Sequence, residues 1–280
     1  MRIRSFPCWQ RGIATDLPGV WPQSLTGRTL DCMGMGAELV LLAIDNKRGE
    51  IRNSRYVAFA VAAAELIELA LTECIALSGG RLTVLSRDGA ANAGLTAALT
   101  KIADSRQPVT VSAWLGRRGE LGRVRDCVLE LERAGAVEVD DLSKSVAGEQ
   151  AMHVRIADPK LAQAAVDRLV AVARGALTGA ADEAFAALAD AAGLTPAHLR
   201  GLSSRRARAR ISTLTAHHVE PPAEPGRTVL AIARAAVQTM AGTARRAGSG
   251  GPIGSMAIPI DKQFVMRQDI QAALRDPNIP

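Results

Sequence analysis

Residues Tyr56–Leu77 form a largely apolar stretch of 22 residues, YVAFAVAAAELIELALTECIAL. As a helix, a stretch of this length could span a bilayer. Its second half, however, contains Glu65, Glu68 and Glu73, and each ionised carboxylate would cost a few kcal/mol in the hydrocarbon core. We therefore predict that the stretch is a helix buried in a soluble domain and that the chain does not cross a membrane.

The rest of the chain alternates helical patterns with short strand patterns. Ala37–Ile51 is an apolar run that closes in the turn signal Asp45–Gly49. Gly79-Gly80 is predicted to end the long helix, and Arg81–Arg87 alternates as a short strand. Further helices are predicted at 94–103, 122–134, 160–177, 182–192, 195–202, 203–214 and 229–246, and a β-hairpin is predicted to pair 136–140 with 152–156.

These patterns predict a mainly α fold, a single helical domain with short β-hairpins, over residues 36–247. Residues 1–35 carry scattered proline and glycine without a sustained period, which predicts a flexible N-terminal extension. Residues 248–280 are rich in glycine and proline, which predicts a flexible C-terminal tail.

The sequence carries no motif typical of a catalytic, metal-binding or nucleotide-binding site. The four cysteines lie far apart, without a CxxC or a zinc-type cluster. We expect them to be free thiols in a reducing, cytoplasmic setting. His217-His218 is the best metal candidate, but no third ligand stands at a recognisable spacing. We therefore predict no enzymatic activity, no cofactor and no metal site.

The net charge of +6 is concentrated in one short segment. Five arginines, with no acidic residue among them, occupy this segment: Arg200, Arg205, Arg206, Arg208 and Arg210. A helix that turned Ala207, Ile211 and Leu214 inward would expose the last four of these arginines as a basic surface for phosphates or for an acidic protein partner. The alternative is an ordinary solvated helix face. A second, smaller cluster comprises Arg117, Arg118, Arg123 and Arg125.

The order of these elements resembles that of the Golgi phosphoprotein 3 family, in the form found in actinobacteria. The resemblance rests on five segments with similar spacing, and it covers about residues 37–246. The segments are AELVLLAIDNKRGEI from Ala37, ELIELALTECIAL with RLTVLSR after it, LTKIADSRQPVTVSAWL from Leu99, RVRDCVLELERAGAV with its hairpin, and the helical end through Arg246.

The resemblance implies a non-enzymatic, cytoplasmic protein that lies peripherally at the inner face of the cell membrane and acts as an adaptor. It implies a pocket for an anionic, phosphoinositide-like head group. Carried over by position, the family's pocket tryptophan falls near Asn53 and its first arginine falls at Ala62. Four nearby arginines are the candidate head-group ligands: Arg52, Arg55, Arg123 and Arg125.

Three functional hypotheses follow. The leading one is binding to anionic phospholipid surfaces through arginine clusters. The second is DNA binding, because a helix followed by a hairpin, as over 122–156, is typical of winged-helix modules. Acidic residues on that helix, Asp126, Glu130 and Glu132, repel phosphate and disfavour nucleic acid as a partner. The third is a protein-interaction scaffold that has lost lipid binding.

Overall fold

A computed structural model describes residues 33–118, 121–144, 150–177, 179–199, 206–207, 209–211, 213 and 225–246. Almost all of the predicted extension and the whole of the predicted tail lie outside the described residues. So do Cys8, Cys32 and the His217-His218 pair. The predicted mainly α fold is confirmed, because helices dominate the described chain and the strands form only two-stranded antiparallel sheets.

The central element is helix α2, which the long apolar stretch forms as predicted. Helix α1 (Met35–Ala43) runs into β1 (Ile44–Asp45), and β2 (Glu50–Ile51) leads into α2 (Ser54–Leu71). Helices α1 and α2 pack against each other, and all of α1 and most of α2 are buried. No helix in the described part of the chain is long and apolar enough to cross a membrane.

The prediction of one helix through Leu77 is wrong at its C-terminal end. Helix α2 ends at Leu71, and Glu73 takes a left-handed conformation with φ 56°. The chain then forms β3 (Ile75–Ser78), which pairs with β4 (Arg81–Val84). Gly79 and Gly80 both have positive φ and connect these strands, as a two-residue hairpin turn requires. The glycine pair therefore closes a hairpin and does not end the helix.

The remaining elements agree with the predicted ones to within a few residues, except that the helix at Val111–Arg118 was not among the predicted helices and that most of the predicted helix 203–214 lies outside the described residues. They are α3 (Ala93–Ala103), α4 (Val111–Arg118), α5 (Leu121–Arg133), β5 (Val137–Lys144), β6 (Gln150–Ile156), α6 (Pro159–Arg174), α7 (Ala180–Ala191), α8 (Thr195–His198) and α9 (Gly226–Arg246). Val124, Val128 and Leu131 recur at helical spacing along α5, and all three are 0% exposed, so they form its buried face. Helices α4, α5, α7 and α9 pack around α2.

The turn between β1 and β2 packs onto the hairpin of β5 and β6. The Val154 amide donates to the Gly49 carbonyl at 2.9 Å. The Ile156 amide donates to the Asn46 side chain at 2.9 Å. Gly49 has a φ of 68°, and a Cβ there would lie 2.0 Å from the His153 ring. Only glycine fits this position without strain. The close approach of Gly49 and the two hydrogen bonds together hold the turn against the hairpin.

Candidate functional site

The β1–β2 turn presents a group of positive charges at the start of α2. We call Lys47, Arg48, Arg52 and Arg55 the basic turn. Lys47, Arg48 and Arg55 are exposed, and no ion pair joins them to another described residue. Arg52 donates to the Asp45 carboxylate through Nε at 3.2 Å and pairs with it through a terminal nitrogen at 3.1 Å.

Asp45 holds the shape of this turn. Its side chain accepts from the Lys47 amide at 3.1 Å, and its carbonyl accepts from the Gly49 amide at 2.7 Å. Burial alone would raise the pKa of Asp45, but hydrogen bonds from the Lys47 and Arg48 amides and the Arg52 guanidinium lower it below its ordinary value. Asp45 is therefore ionised at neutral pH and keeps Arg52 in place.

A recess of about 480 Å³ lies between the basic turn and α8. Its lining includes Asn46, Lys47, Arg48, Arg52 and His198. The His198 ring is anchored by a 2.8 Å hydrogen bond between Nε2 and the Leu42 carbonyl oxygen. Three basic side chains thus border one open recess, and this arrangement can attract an anionic group.

A second cluster of charges is largely buried against the C-terminal half of α2. The Glu65 Oε1 atom lies 2.9 Å from a terminal nitrogen of Arg118 and 2.7 Å from one of Arg123. Only 5% of the Glu65 side chain and 15% of each arginine side chain is exposed. Burial alone would lower the pKa of Arg123, but the attraction of Glu65 and the contact with Asp126 raise it above its ordinary value.

A family comparison identifies the chain. The profile described as Golgi phosphoprotein 3 (GPP34) matches residues 35–240. This range begins with α1 and includes all the following elements except the last six residues of α9. The chain belongs to the Golgi phosphoprotein 3 family. A comparison with curated proteins gave no match. The resemblance inferred from the five segments is thereby confirmed.

The structure does not bring together the four arginines that the Golgi phosphoprotein 3 resemblance singled out. Arg52 and Arg55 lie at the start of α2, where Arg52 borders the recess and Arg55 is exposed. Arg123 and Arg125 lie on α5, and Arg125 is only 7% exposed. Arg123 pairs with Glu65, which stands 11 residues after Ser54 and therefore about 16 Å along α2.

Asn53 and Ala62, the residues that the family resemblance pointed to, both have structural partners. Asn53 lies near the expected position of the family tryptophan, and its side chain donates to the Ala192 carbonyl at 3.0 Å. Ala62 stands where the first arginine is expected, and its carbonyl accepts from Trp114 Nε1 at 3.1 Å. Both residues thus connect α2 to its neighbours.

Of the predicted basic surface, the structure describes Arg206 and Arg210, and both are exposed. Arg200, Arg205 and Arg208 lie outside the described residues. Ile211 is 0% exposed, so the predicted inward face of this segment is confirmed at that residue. The Arg210 guanidinium lies against Gly175, which ends α6, and it attracts Glu183. Arg210 therefore has contacts within the domain, whereas the side chain of Arg206 is open to solvent.

Sequence reasoning missed the role of Glu68. The Met35 and Gly36 amides donate to its carboxylate, so Glu68 caps the N-terminus of α1 from a different helix. Burial raises the pKa of Glu68 to about 7; the two amides oppose this shift, and Glu65 and Glu38 add to it. The sequence does show an acidic residue within an apolar helix, which is unusual. Its hydrogen-bond partner Met35, however, lies 33 residues earlier in the chain, and the pattern gives no sign of that contact.

We expect Glu68→Gln to stabilise the protein at pH 8 and to flatten its pH dependence. The folded pKa of about 7 exceeds the ordinary value of 4.5, so the folded state favours the protonated, neutral form of Glu68. Its contribution to the free energy of unfolding is therefore full below about pH 4.5 and is lost as the pH rises through 7. Glutamine is neutral at every pH and avoids this loss. The largest gain is about 3 kcal/mol at pH 8. Urea unfolding between pH 5 and 8 measures it, with exposed Glu132→Gln as the control. Equal pH slopes for Glu68→Gln and the unchanged protein would refute this assignment.

Proposed function

We propose that this Golgi phosphoprotein 3 family member is a non-enzymatic, peripheral protein that binds anionic phospholipid surfaces through the basic turn. The observation that carries the proposal is the exposure of Lys47, Arg48 and Arg55 beside a recess that Arg52 borders. Such binding would place the protein at the inner face of the cell membrane, where anionic lipids are available.

The basic turn suits a charged surface because its backbone is held in place. Bonds to Asp45 fix the turn from within, and bonds from β6 to Asn46 and Gly49 fix it from outside. Little backbone entropy is therefore lost when the turn meets a ligand. Arginine adds a planar fork that can bond two phosphate oxygens at once, and the recess gives a head group room beside Arg52.

The expected affinity is modest. Between Asp45 and Arg55 the chain has four basic and two acidic residues, and each basic side chain near an anionic bilayer contributes about 1 kcal/mol. The carboxylates of Asp45 and Glu50 offset part of this attraction. Binding is therefore reversible and sensitive to salt, as is usual for a protein that attaches to a surface without an anchor.

Nucleic acid is a poorer fit as the partner. In a winged-helix arrangement α5 would face the DNA, yet Asp126, Glu130 and Glu132 are exposed on that helix. The opposite face of α5 packs against α1 and α2, so the exposed face of the helix, which also carries Arg133, is acidic overall. Acidic side chains at such a contact repel the phosphate backbone.

Vesicle flotation tests the proposal. We expect the protein to float with phosphatidylglycerol vesicles at low salt, to be released as the Debye length shrinks from about 10 Å at 0.1 M to about 3 Å at 1 M salt, and to ignore phosphatidylcholine vesicles. Absence of binding to the anionic vesicles at low salt would refute membrane attachment. A gel shift with duplex DNA runs in parallel. If the protein binds DNA with an affinity that falls steeply with salt, and does not float with vesicles, nucleic acid is the partner of its basic residues instead.

A further inference from the structure

Arg118 and Arg123 converge on one carboxylate from two different helices. Arg118 lies at the end of α4 and Arg123 in the first turns of α5. Both guanidiniums contact Glu65 Oε1, at 2.9 and 2.7 Å, and Arg118 Nε also points to Oε2 at 3.4 Å. Two guanidiniums that share one oxyanion form the arrangement that proteins use to bind carboxylates and phosphates.

The two guanidiniums are held by contacts other than the one with Glu65. The Arg118 guanidinium lies 5.3 Å from the centre of the Trp114 ring. That ring is fixed by its hydrogen bond to the Ala62 carbonyl, one helical turn before Glu65. Arg123 donates to Asp126 on its own helix at 2.8 Å. The pair is therefore expected to keep its position if Glu65 is shortened.

The site has donor capacity that Glu65 does not use. Within the described part of the chain, the buried Nε of Arg123 has no hydrogen-bond partner. A cavity of about 30 Å³ lies beside this cluster, and its lining includes Glu65, Glu68 and Arg123. Such a volume holds about one water molecule, so the native site is too small for a phosphate while the Glu65 side chain is present.

We infer that Arg118 and Arg123 form an oxyanion-binding site whose occupant is the chain's own Glu65 carboxylate. Glu65 therefore determines specificity: it closes the site to external phosphates and carboxylates. This inference does not rest on the proposed membrane binding, because the basic turn lies at the other end of α2. It also explains why Arg123 is not available to a head group at the surface.

Chemical rescue tests the inference. Glu65→Ala leaves two largely buried guanidiniums without their shared anion, which should lower Tm by on the order of 10 °C. Formate, a small carboxylate, should restore much of this loss in a saturable manner, since a ligand that binds only the folded state stabilises it by mass action. Inorganic phosphate, the second probe, shows whether the opened site also takes a tetrahedral anion. Sodium chloride at equal ionic strength sets the baseline.

Three variants serve as controls. Glu65→Gln keeps the site filled, so formate should not rescue it. Glu130→Ala opens space beside the same cavity without removing the shared anion, and it should not respond either. Adding Arg123→Gln to Glu65→Ala should abolish the rescue.

Rescue of Glu65→Ala by formate alone, or by formate and phosphate, supports the inference. Tm gains no larger than those of Glu130→Ala would overturn it. If Glu65→Ala does not fold in chloride, its soluble yield after refolding is measured in formate and in chloride. A higher yield in formate then supports the inference, and equal yields overturn it.

Discussion

Replacing Arg168 by leucine is expected to lower the free energy of unfolding by about 3–5 kcal/mol. Arg168 lies on α6 and joins two other helices, because its guanidinium pairs with Glu38 on α1 and with Asp182 on α7. It also lies over the Phe185 ring, 4.6 Å from the ring centre. Glu38 is only 8% exposed, so the variant would bury a carboxylate that had lost its guanidinium.

The same helix offers a matched control for this prediction. Arg174 is exposed on α6, and Arg174→Leu should change the free energy of unfolding by no more than about 0.5 kcal/mol. Combining Arg168→Leu with Glu38→Leu should recover part of the loss, since removing both charges is less costly than leaving one. Urea unfolding of the four proteins measures these differences. Equal effects of Arg168→Leu and Arg174→Leu would show that the pairing does not support the fold.

The sequence predicted most of the fold because the hydrophobic periodicity is strong. Val124, Val128 and Leu131 predict the buried face of α5 without any knowledge of its neighbours, and all three are buried. The end of α2 was missed for a physical reason. Residues 74–77 (CIAL) continue the apolar character of the helix, and the change to a strand follows the positive φ of Glu73, which the hydrophobic pattern does not predict.

The arrangement of charges was far less predictable. The sequence shows that Arg118, Arg123 and Glu65 exist, but their pairing spans 53 and 58 positions of the chain. Such a pairing depends on how α4 and α5 pack against α2. The same limit explains Arg125, which belongs to a basic cluster in the sequence and is buried in the fold. The basic turn was more accessible to prediction, because its residues are close in sequence and a turn places them at the surface.

The basic turn is the proposed membrane-binding surface, and a triple variant removes its exposed charges. Lys47→Ser, Arg48→Ser and Arg55→Ser together remove three exposed charges that have no ion pair with a described residue, so the fold should be unaffected. At about 1 kcal/mol for each residue, the partition coefficient onto anionic vesicles at low salt should fall on the order of a hundredfold.

The decisive measurement compares that triple variant with one that removes the same charge elsewhere. Lys101, Arg106 and Arg117 are exposed, and their joint replacement by serine gives the same net charge at a different place. Partitioning onto phosphatidylglycerol vesicles is measured for both variants, with circular dichroism to verify folding. We predict a large loss for the basic-turn variant and a change of only a few-fold for the control. Equal losses, or no loss in the basic-turn variant, would contradict the assignment of the basic turn as the membrane-binding surface.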